Sequence, residues 1–396
     1  MKHLLSFLPL LIPFLAVAND GVYYANGNHL IPITETDISV RKEVLTITRM
    51  GDQFHVDVYY EFFNPAQAKT LLVGFEAADP YPGYPPDIYV KAYPNHPYIS
   101  NFTVEMNGKP LNYQVAHVNF SSGDWVKRPR LPKYYHDGQF DTVNFQANLA
   151  VLRDSDWAMN ASIDYAYHFL AYFQPGLNII HHTYQYKVSA VAGYDYYLHY
   201  VLTAANRWAN HQIDDFTLIL DMGDCQSFVV DPSFYNAIDE WQIEGAGRKN
   251  THKDTHLDIG PKAWAMFHIR HGKAVFHKAN FHPNGELQLY GTYYLYIHSS
   301  ITKEEYFSIV AERYFCPWRR LQQDKYPFDL KALPFTRDER RILRNIPFAY
   351  RGYCFKNKDL QAFFSSTDWY LPDSTYTPDL EALTPEERRW IQLWAE

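Results

Sequence analysis

Between residues 54 and 62 the chain reads Phe54-His55-Val56-Asp57-Val58-Tyr59-Tyr60-Glu61-Phe62. Apolar or aromatic side chains stand at every second position, and polar or amphipathic ones fill the gaps. Because successive side chains of a strand point to opposite faces, this alternation predicts a strand with one buried face. The buried face needs a second layer, so the chain must supply further strands or helices to cover it.

The same kind of signal recurs on the C-terminal side of this strand. Asn107-Gly108 lies between two short apolar runs, and this dipeptide favours the positive φ angles of a tight hairpin. Further strand candidates are residues 180–191, 196–202, 216–220, 274–276 and 287–290, with loops rich in Pro and Gly at 79–87 and 128–138. We therefore predict a mainly β body over residues 19–300, folded as an antiparallel sandwich or as two of them.

Helix signals are concentrated after residue 300. Three pairs fit the capping box, in which a hydroxyl and an acid cap each other's backbone: Thr302 with Glu305, Thr336 with Glu339, and Thr384 with Glu387. Pro385 suits the first position of the last helix. Pro347, in contrast, predicts a kink or an early stop in the helix that Thr336 opens. We predict a helix and connector over 301–333 and a small all-α module over 334–396.

The module offers enough apolar side chains for a modest core. Gly352 suits the left-handed end of its first helix, and Asn357 can cap a second helix. The side chains expected inside are Ile342, Leu343, Ile346, Leu360, Phe363, Phe364, Trp369, Tyr370, Trp390, Ile391 and Trp394. Because about sixty residues bury little surface, we expect the module to dock on the β body.

The N-terminus carries a pattern typical of exported proteins. Lys2 precedes an apolar stretch over residues 4–17, and residues 16–18 form a small-x-small cleavage signal, so residues 1–18 are predicted to be a signal peptide. No Cys follows the cleavage point, which argues against a lipoprotein. We expect a protein of the periplasm or the extracellular medium, with no transmembrane segment after cleavage.

The last sixty residues resemble the YARHG domain, a module of bacterial envelope and secreted proteins. The resemblance rests on the run Asn345-Ile346-Pro347-Phe348-Ala349-Tyr350-Arg351-Gly352-Tyr353-Cys354-Phe355-Lys356 and on Trp369-Tyr370-Leu371-Pro372. The five-letter signature is altered to Phe-Ala-Tyr-Arg-Gly, with Tyr350 in place of Arg and Arg351 in place of His. The resemblance implies structural roles for Gly352, Trp369 and Tyr370, and no particular activity.

The N-terminal part is similar to a secreted bacterial family of unknown function, over about residues 19–221. The similarity rests on Asn19-Asp20, on the strand Asp37-Ile38-Ser39-Val40-Arg41-Lys42-Glu43-Val44-Leu45, on Tyr60-Glu61-Phe62-Phe63-Asn64, on His182-Thr183-Tyr184 and on Trp208. Most of these residues also favour strands in general.

Charge and cysteine content narrow the possible partners. The formal charge of −8 disfavours nucleic acid and anionic membranes as partners. The three Cys residues contain no CxxC pair, so neither a zinc ribbon nor a disulfide scaffold is expected. Cys354 lies in the apolar block of the module and is predicted to be a buried thiol, which leaves Cys225 and Cys316 as a possible pair.

One candidate binding surface stands out against the acidic background. Arg337, Arg341 and Arg344 are spaced four and three apart, which places them on one face of a helix, and Arg351 follows. Guanidinium groups pair well with carboxylates and phosphates, so this face could hold an anionic partner. A solvated face neutralised by Asp and Glu is the alternative.

Catalytic and metal-binding patterns are weaker. His252 and His256 are four apart with Asp254 and Asp258 between them, but 245–260 has the composition of a loop. Asp214-Asp215 is a carboxylate pair that only a measured geometry could support as a glycosidase dyad. No nucleophile elbow, phosphate loop or dinucleotide fingerprint is present, and no cofactor is expected.

We therefore expect an exported, non-enzymatic envelope protein that binds or assembles through β loops and the module. Its partner would be an envelope protein or a cell-wall glycan. The alternatives are an envelope hydrolase with its site on β loops and a His-dependent metal binder.

Overall fold

The structure is a computed structural model. It describes residues 30–32, 36–77, 95–120, 135–136, 139–140, 162–188, 196–252, 264–291, 302–312 and 333–395. These residues form a mainly β body followed by a small helical module, as the sequence predicts. Among them, no helix is long and apolar enough to cross a membrane. The predicted signal peptide and the loops at 79–87 and 128–134 lie outside the described residues.

Seventeen strands are described between residues 30 and 291. They are β1 (Leu30–Pro32), β2 (Ser39–Met50), β3 (Gln53–Asn64), β4 (Lys69–Ala77), β5 (Ile99–Met106), β6 (Lys109–Pro110), β7 (Gln114–Phe120), β8 (Tyr135–His136), β9 (Gln139–Phe140), β10 (Ser162–Phe173), β11 (Gly176–Lys187), β12 (Tyr197–Tyr200), β13 (Ile213–Asp221), β14 (Gln226–Val230), β15 (Trp241–His252), β16 (Trp264–Phe281) and β17 (Leu287–Gly291). Short 3-10 helices occupy Thr203–Arg207 and Ile238–Glu240.

The strands form a large sheet and a smaller one. The large sheet has the order β12-β17-β14-β16-β13-β2-β3-β11-β5-β6, with β15 paired to β16, and the smaller sheet has the order β1-β4-β10-β7. One pair departs from the antiparallel pattern, because β13 runs parallel to β2. A separate hairpin joins β8 and β9.

The inner face of the large sheet carries the main core. Every second residue of β3 from Phe54 to Phe62 is fully buried, which confirms the alternation in the sequence. The smaller sheet covers part of this face, since the ring of Phe75 lies 4.8 Å from that of Tyr184. The β12 end of the large sheet curls over the same face, where the rings of Tyr196 and Phe54 are 5.8 Å apart. The two layers therefore share one continuous core.

The hairpin and strand predictions are confirmed, with one correction. Asn107 and Gly108 have φ angles of 52° and 74° and join β5 to β6. Residues 245–252, which resemble a loop in composition, instead continue β15 along β16. Gly245 makes this possible, because a Cβ there would lie 2.3 Å from the carbonyl oxygen of His271. The glycines that weaken the strand signal are thus the residues that let the two strands approach.

The helical part begins with α1 (Lys303–Phe307), which continues into a π-helical turn (Ser308–Glu312). The module then contains α2 (Arg337–Tyr350), α3 (Lys358–Ser365) and α4 (Pro385–Leu393). All three predicted capping boxes are present, Pro385 occupies the first turn of α4, and the side chain of Asn357 caps α3. Gly352 has a φ of 84° at the end of α2, as predicted.

Helix α2 runs through Pro347, so the predicted early stop is wrong. A residue with an N–H at position 347 would bond the carbonyl of Leu343. The indole N–H of Trp390, on α4, donates to that carbonyl instead, at 2.7 Å. The backbone group that proline leaves without its usual partner is therefore satisfied from a neighbouring helix.

The module has a core separate from that of the body. It contains the predicted Leu343, Ile346, Leu360, Phe364, Trp369, Tyr370, Trp390 and Trp394, and it also takes in Tyr306, Val310 and Ala311 from the preceding helix. Ile342, Phe363 and Ile391 are only half-buried. The thiol of Cys354 is free but partly exposed, so the prediction of a buried thiol is wrong. Its Sγ lies 3.8 Å from the carbonyl of Gly352 and also interacts with the hydroxyl of Tyr370 at the edge of the module core.

Candidate functional site

The predicted arginine face lies on α2. Arg337 is exposed, whereas Arg341 and Arg344 are half-buried. Arg341 pairs within the module, with Asp338 at 3.2 Å and with Asp359 of α3 at 3.7 Å. No carboxylate among the described residues forms an ion pair with Arg337 or Arg344. This side of α2 therefore presents at least two guanidinium groups that no carboxylate of the described residues neutralises.

Arg351 is used inside the module. Its two terminal nitrogens bind both carboxylate oxygens of Glu387, at 2.8 and 2.9 Å, and Nη1 also donates to the carbonyl of Pro347. Glu387 is 5% exposed, and it also accepts the backbone N–H of Thr384 in the capping box of α4. Burial opposes the charge on Arg351, but the hydrogen bonds and charge of Glu387 outweigh it and raise the pKa of the guanidinium. One carboxylate thus caps α4 and ties it to the end of α2.

Tyr350 of the altered signature, and Trp369 and Tyr370 after it in the chain, make contacts inside the module. Tyr350 is buried, and its ring meets that of Trp369 edge-on with centroids 4.7 Å apart. The indole N–H of Trp369 donates to the carbonyl of Ala311, and the hydroxyl of Tyr370 donates to the carbonyl of Tyr353. An aromatic residue in place of the signature arginine therefore adds to the core.

The module docks on one face of the body, formed by β14, β15 and β16. Arg270 of β16 donates to the carbonyl of Leu371 at 3.0 Å and lies 3.5 Å from the carboxylate of Asp373. Arg248 of β15 donates to the carbonyl of Asp368. At the start of β14, the thiol of Cys225 lies 3.6 Å from the carbonyl of Tyr350. We name this surface, defined by Cys225, Arg248 and Arg270, the docking face.

A buried Ser–His pair lies in the middle of the docking face. Ser227 Oγ and His268 Nδ1 are 2.7 Å apart, and the two residues stand directly opposite each other on β14 and β16. Both are buried, and alternation along the strands places them beside Cys225 and Arg270, beneath the module. We interpret the pair as two buried polar groups that satisfy each other.

The groups with the most shifted pKa values are buried side chains. Burial raises the pKa of Tyr167, Tyr184 and Tyr200, and it lowers the pKa of His168 to about 4. These shifts are effects of desolvation and not of charged groups gathered in a cleft. They give no support to an acid–base site.

Asp214 and Asp215, the carboxylate pair on β13, both have pKa values below the ordinary range. A hydrogen bond from Lys42 lowers the pKa of Asp215, and His277 adds to this effect. Burial alone would raise the pKa of Asp214, but hydrogen bonds from Gln212 and Arg41 outweigh it. A glycosidase acid needs a raised pKa, so this pair lacks a property that a glycosidase dyad requires.

The histidine region is described only in part. His252 is the last residue of β15, and His256 lies outside the described residues. Within the part of the chain that the structure describes, no three His, Cys, Asp or Glu side chains are placed to hold a metal ion. Cys316 also lies outside it, so its pairing with Cys225 stays a prediction.

The sequence did not point to the docking face. Arg248, Arg270, Ser227 and His268 lie on strands with no motif, and their partners are 41 to 120 residues away. Residues 226–230 and 264–270 are mostly buried on both faces of their strands, so no polar–apolar alternation marked the face that these side chains share.

Two domain families match this chain. Residues 312–396 match the YARHG domain, and residues 18–129 match a domain of unknown function (DUF4424). Both suspected resemblances are thereby confirmed, the second over a shorter segment than expected. No curated protein sequence matches the chain.

Among solved structures, a Legionella pneumophila protein whose name proposes a role in nutrient binding is similar over 95% of this chain and 99% of its own. The two share 17% sequence identity, with a TM-score of 0.46.

Proposed function

We propose that this protein is an exported, non-enzymatic component of the bacterial envelope that binds an anionic partner through α2 of its module. One observation carries the proposal: Arg337 and Arg344 lie on a solvent-accessible side of α2, while the opposite side of the helix is buried in the module core. The β loops of the body would add contacts to the same partner.

The charge distribution supports an anionic partner of limited size. The chain as a whole is acidic, so a general attraction to polyanions is not expected. The arginines of α2, with the exposed Lys356 and Lys358 that precede and open α3, form a local exception. Planar guanidinium groups favour carboxylates and phosphates, which occur on cell-wall glycans and on acidic envelope proteins. We propose one of these two classes as the partner.

Export is the second part of the proposal. The apolar stretch and the small-x-small signal in residues 1–18 support cleavage before Asn19, with release to the periplasm or the medium and no lipid anchor. Fractionation of the native host and mass determination of the recovered protein test this. A chain recovered with Met1 in place contradicts it.

Charge reversal on α2 tests the binding site. We expect Arg337→Glu with Arg344→Glu to reduce retention by cell-wall fragments or envelope extract about tenfold or more, because two attractions become repulsions. Wild-type retention should fall as salt is raised. Since neither arginine pairs with a described carboxylate, the free energy of unfolding should change by less than about 0.5 kcal/mol.

Arg389→Glu is the matched control. Arg389 is an exposed arginine of the same module, on α4, paired with Glu386 one turn away. Its reversal changes the net charge in the same direction without touching α2, and it should leave retention near the wild-type level. Equal retention by the α2 variant and the wild-type protein would remove the binding proposal.

A further inference from the structure

The turn that closes α2 is crowded by two different parts of the protein. Gly352 has a φ of 84°, and its carbonyl accepts the backbone N–H of Asp373 at 2.7 Å. A Cβ at this position would lie 2.5 Å from the carbonyl oxygen of Leu371, inside the module. It would also lie 2.7 Å from Nη1 of Arg270, which belongs to the body. The glycine thus leaves room for a guanidinium group from outside the module.

The guanidinium of Arg270 is held on more than one side. Nη1 donates to the carbonyl of Leu371, Nη2 faces the carboxylate of Asp373, and the side chain is only 17% exposed. Thr375 orients the same carboxylate, through a hydroxyl at 2.6 Å and a backbone N–H at 2.9 Å. A carbonyl, an oriented carboxylate and the gap over a glycine are complementary to a planar cation.

We propose that Gly352, the last residue of the altered signature, forms with Leu371 and Asp373 a guanidinium-binding site whose occupant is Arg270 of the chain's own body. The altered signature therefore has an internal partner. Gly352 supplies the space, and Arg351, next to it, holds α4 in place through Glu387. The site is independent of the proposed partner surface, which uses Arg337 and Arg344 near the other end of α2.

The remaining contacts across the docking face agree with this assignment. Arg248 donates to the carbonyl of Asp368, and the thiol of Cys225 faces the carbonyl of Tyr350. The body thus holds the module at three main-chain carbonyls, and Asp373 supplies a charged partner among them. Replacement of Arg270 or Asp373 should therefore weaken docking of the module more than replacement of the other side chains of the docking face.

Replacement of Arg270 tests the assignment in the full-length chain. In Arg270→Ala, we expect amide hydrogen exchange of residues 366–376, read by peptide mass spectrometry, to accelerate at least tenfold. Arg270→Lys should also accelerate this exchange, because an ammonium cannot contact Leu371 and Asp373 in the same planar arrangement. Lys273→Ala is the control, since Lys273 lies on the same strand and pairs with Glu244.

A variant on the module side separates docking from damage to the body. Asp373→Asn removes the charge that faces Arg270 and leaves every body residue intact, so it should accelerate exchange of residues 366–376 several-fold while exchange in β2 and β3 stays at the wild-type rate. Wild-type exchange rates of residues 366–376 in both Arg270→Ala and Asp373→Asn would overturn the proposal.

Discussion

At the scale of single residues, the contact between Arg351 and Glu387 explains most about the module. A carboxylate this deeply buried is costly unless a cation and hydrogen bonds satisfy it. Arg351 meets both oxygens, and Thr384 donates its backbone N–H to one of them. The signature of the YARHG family has His where this chain has Arg, so the contact here keeps its positive charge at any physiological pH.

Removal of the arginine should therefore be costly. Arg351→Ala leaves Glu387 buried without its cation, and we expect a loss of about 3–5 kcal/mol in the free energy of unfolding of the module. Denaturant unfolding followed by tryptophan fluorescence measures it. Arg389→Ala, at an exposed position of α4, should cost less than about 0.5 kcal/mol. Similar losses in the two variants would show that the pair with Glu387 is unimportant.

Arg351→His should make the stability of the module depend on pH. A histidine beside Glu387 gains from protonation, so its folded pKa lies above the unfolded value of about 6.5. Its contribution is fully present below that pH and is lost as pH rises through the folded pKa. Melting temperatures between about pH 5 and 8 test this, with the wild-type protein, whose arginine does not titrate there, as the reference. A parallel profile for both proteins would contradict the prediction.

At the scale of elements, α2 shows how tertiary contacts override a local rule. Proline in a helix interior removes one hydrogen bond and ends many helices. In α2 the carbonyl of Leu343, four residues before Pro347, receives the indole N–H of Trp390. The continuity of α2 therefore depends on where α4 packs.

This dependence predicts a coupling between two side chains. Trp390→Phe leaves the buried Leu343 carbonyl without the indole donor and should cost about 1–3 kcal/mol, in addition to the loss of packing. Pro347→Ala restores a backbone N–H aimed at the same carbonyl. The double variant should be about 1 kcal/mol more stable than the sum of the single effects. Chemical denaturation of all four proteins gives this number, and strict additivity would refute the account.

The elements that the sequence predicted are those whose signals are local. Capping boxes, the Asn107-Gly108 turn and the alternation of β3 involve residues within a few positions of each other, so the sequence alone reveals them. The strand at 245–252 and the passage of α2 through Pro347 depend on contacts with His271 and Trp390, which are distant in sequence. The arginine face of α2 was predictable for the same reason, because helical spacing defines it.

The docking face was not predictable. Arg270 has no motif around it, and its partners, the carbonyl of Leu371 and the carboxylate of Asp373, are about a hundred residues away. Arg351 was predicted to bind a ligand, but in the structure it forms an ion pair with Glu387. A sequence shows which side chains are charged, but it does not show which of them are paired within the fold.

At the scale of the whole molecule, the described residues form two large cores and one small cluster of Val229, Trp264 and Tyr290. Among these residues, the body core ends at Leu289, and the module core takes its buried members from residues 306–394. Between them lies a docking face of polar contacts. An interface of this kind joins units that can unfold separately.

Trp369→Ala should unfold the module and spare the body. Loss of this buried ring, which contacts Tyr350 and Phe364, is expected to cost about 3–5 kcal/mol, and a core this small has little stability in excess. Hydrogen exchange should rise throughout 333–395 and stay slow in β2, β3 and β11. If limited proteolysis leaves the C-terminal segment as protected as in the wild-type protein, the packing role is wrong.

The parallel pairing of β2 with β13 has a consequence for the order of folding. Val40 of β2 meets Ile213 of β13, so this edge of the N-terminal hairpin has no partner until about 170 further residues have been made. Contacts between such distant segments slow folding, and an open strand edge invites association with other chains. The newly emerging chain must therefore wait with β2 half-paired, and a chaperone that shields strand edges would act during that interval.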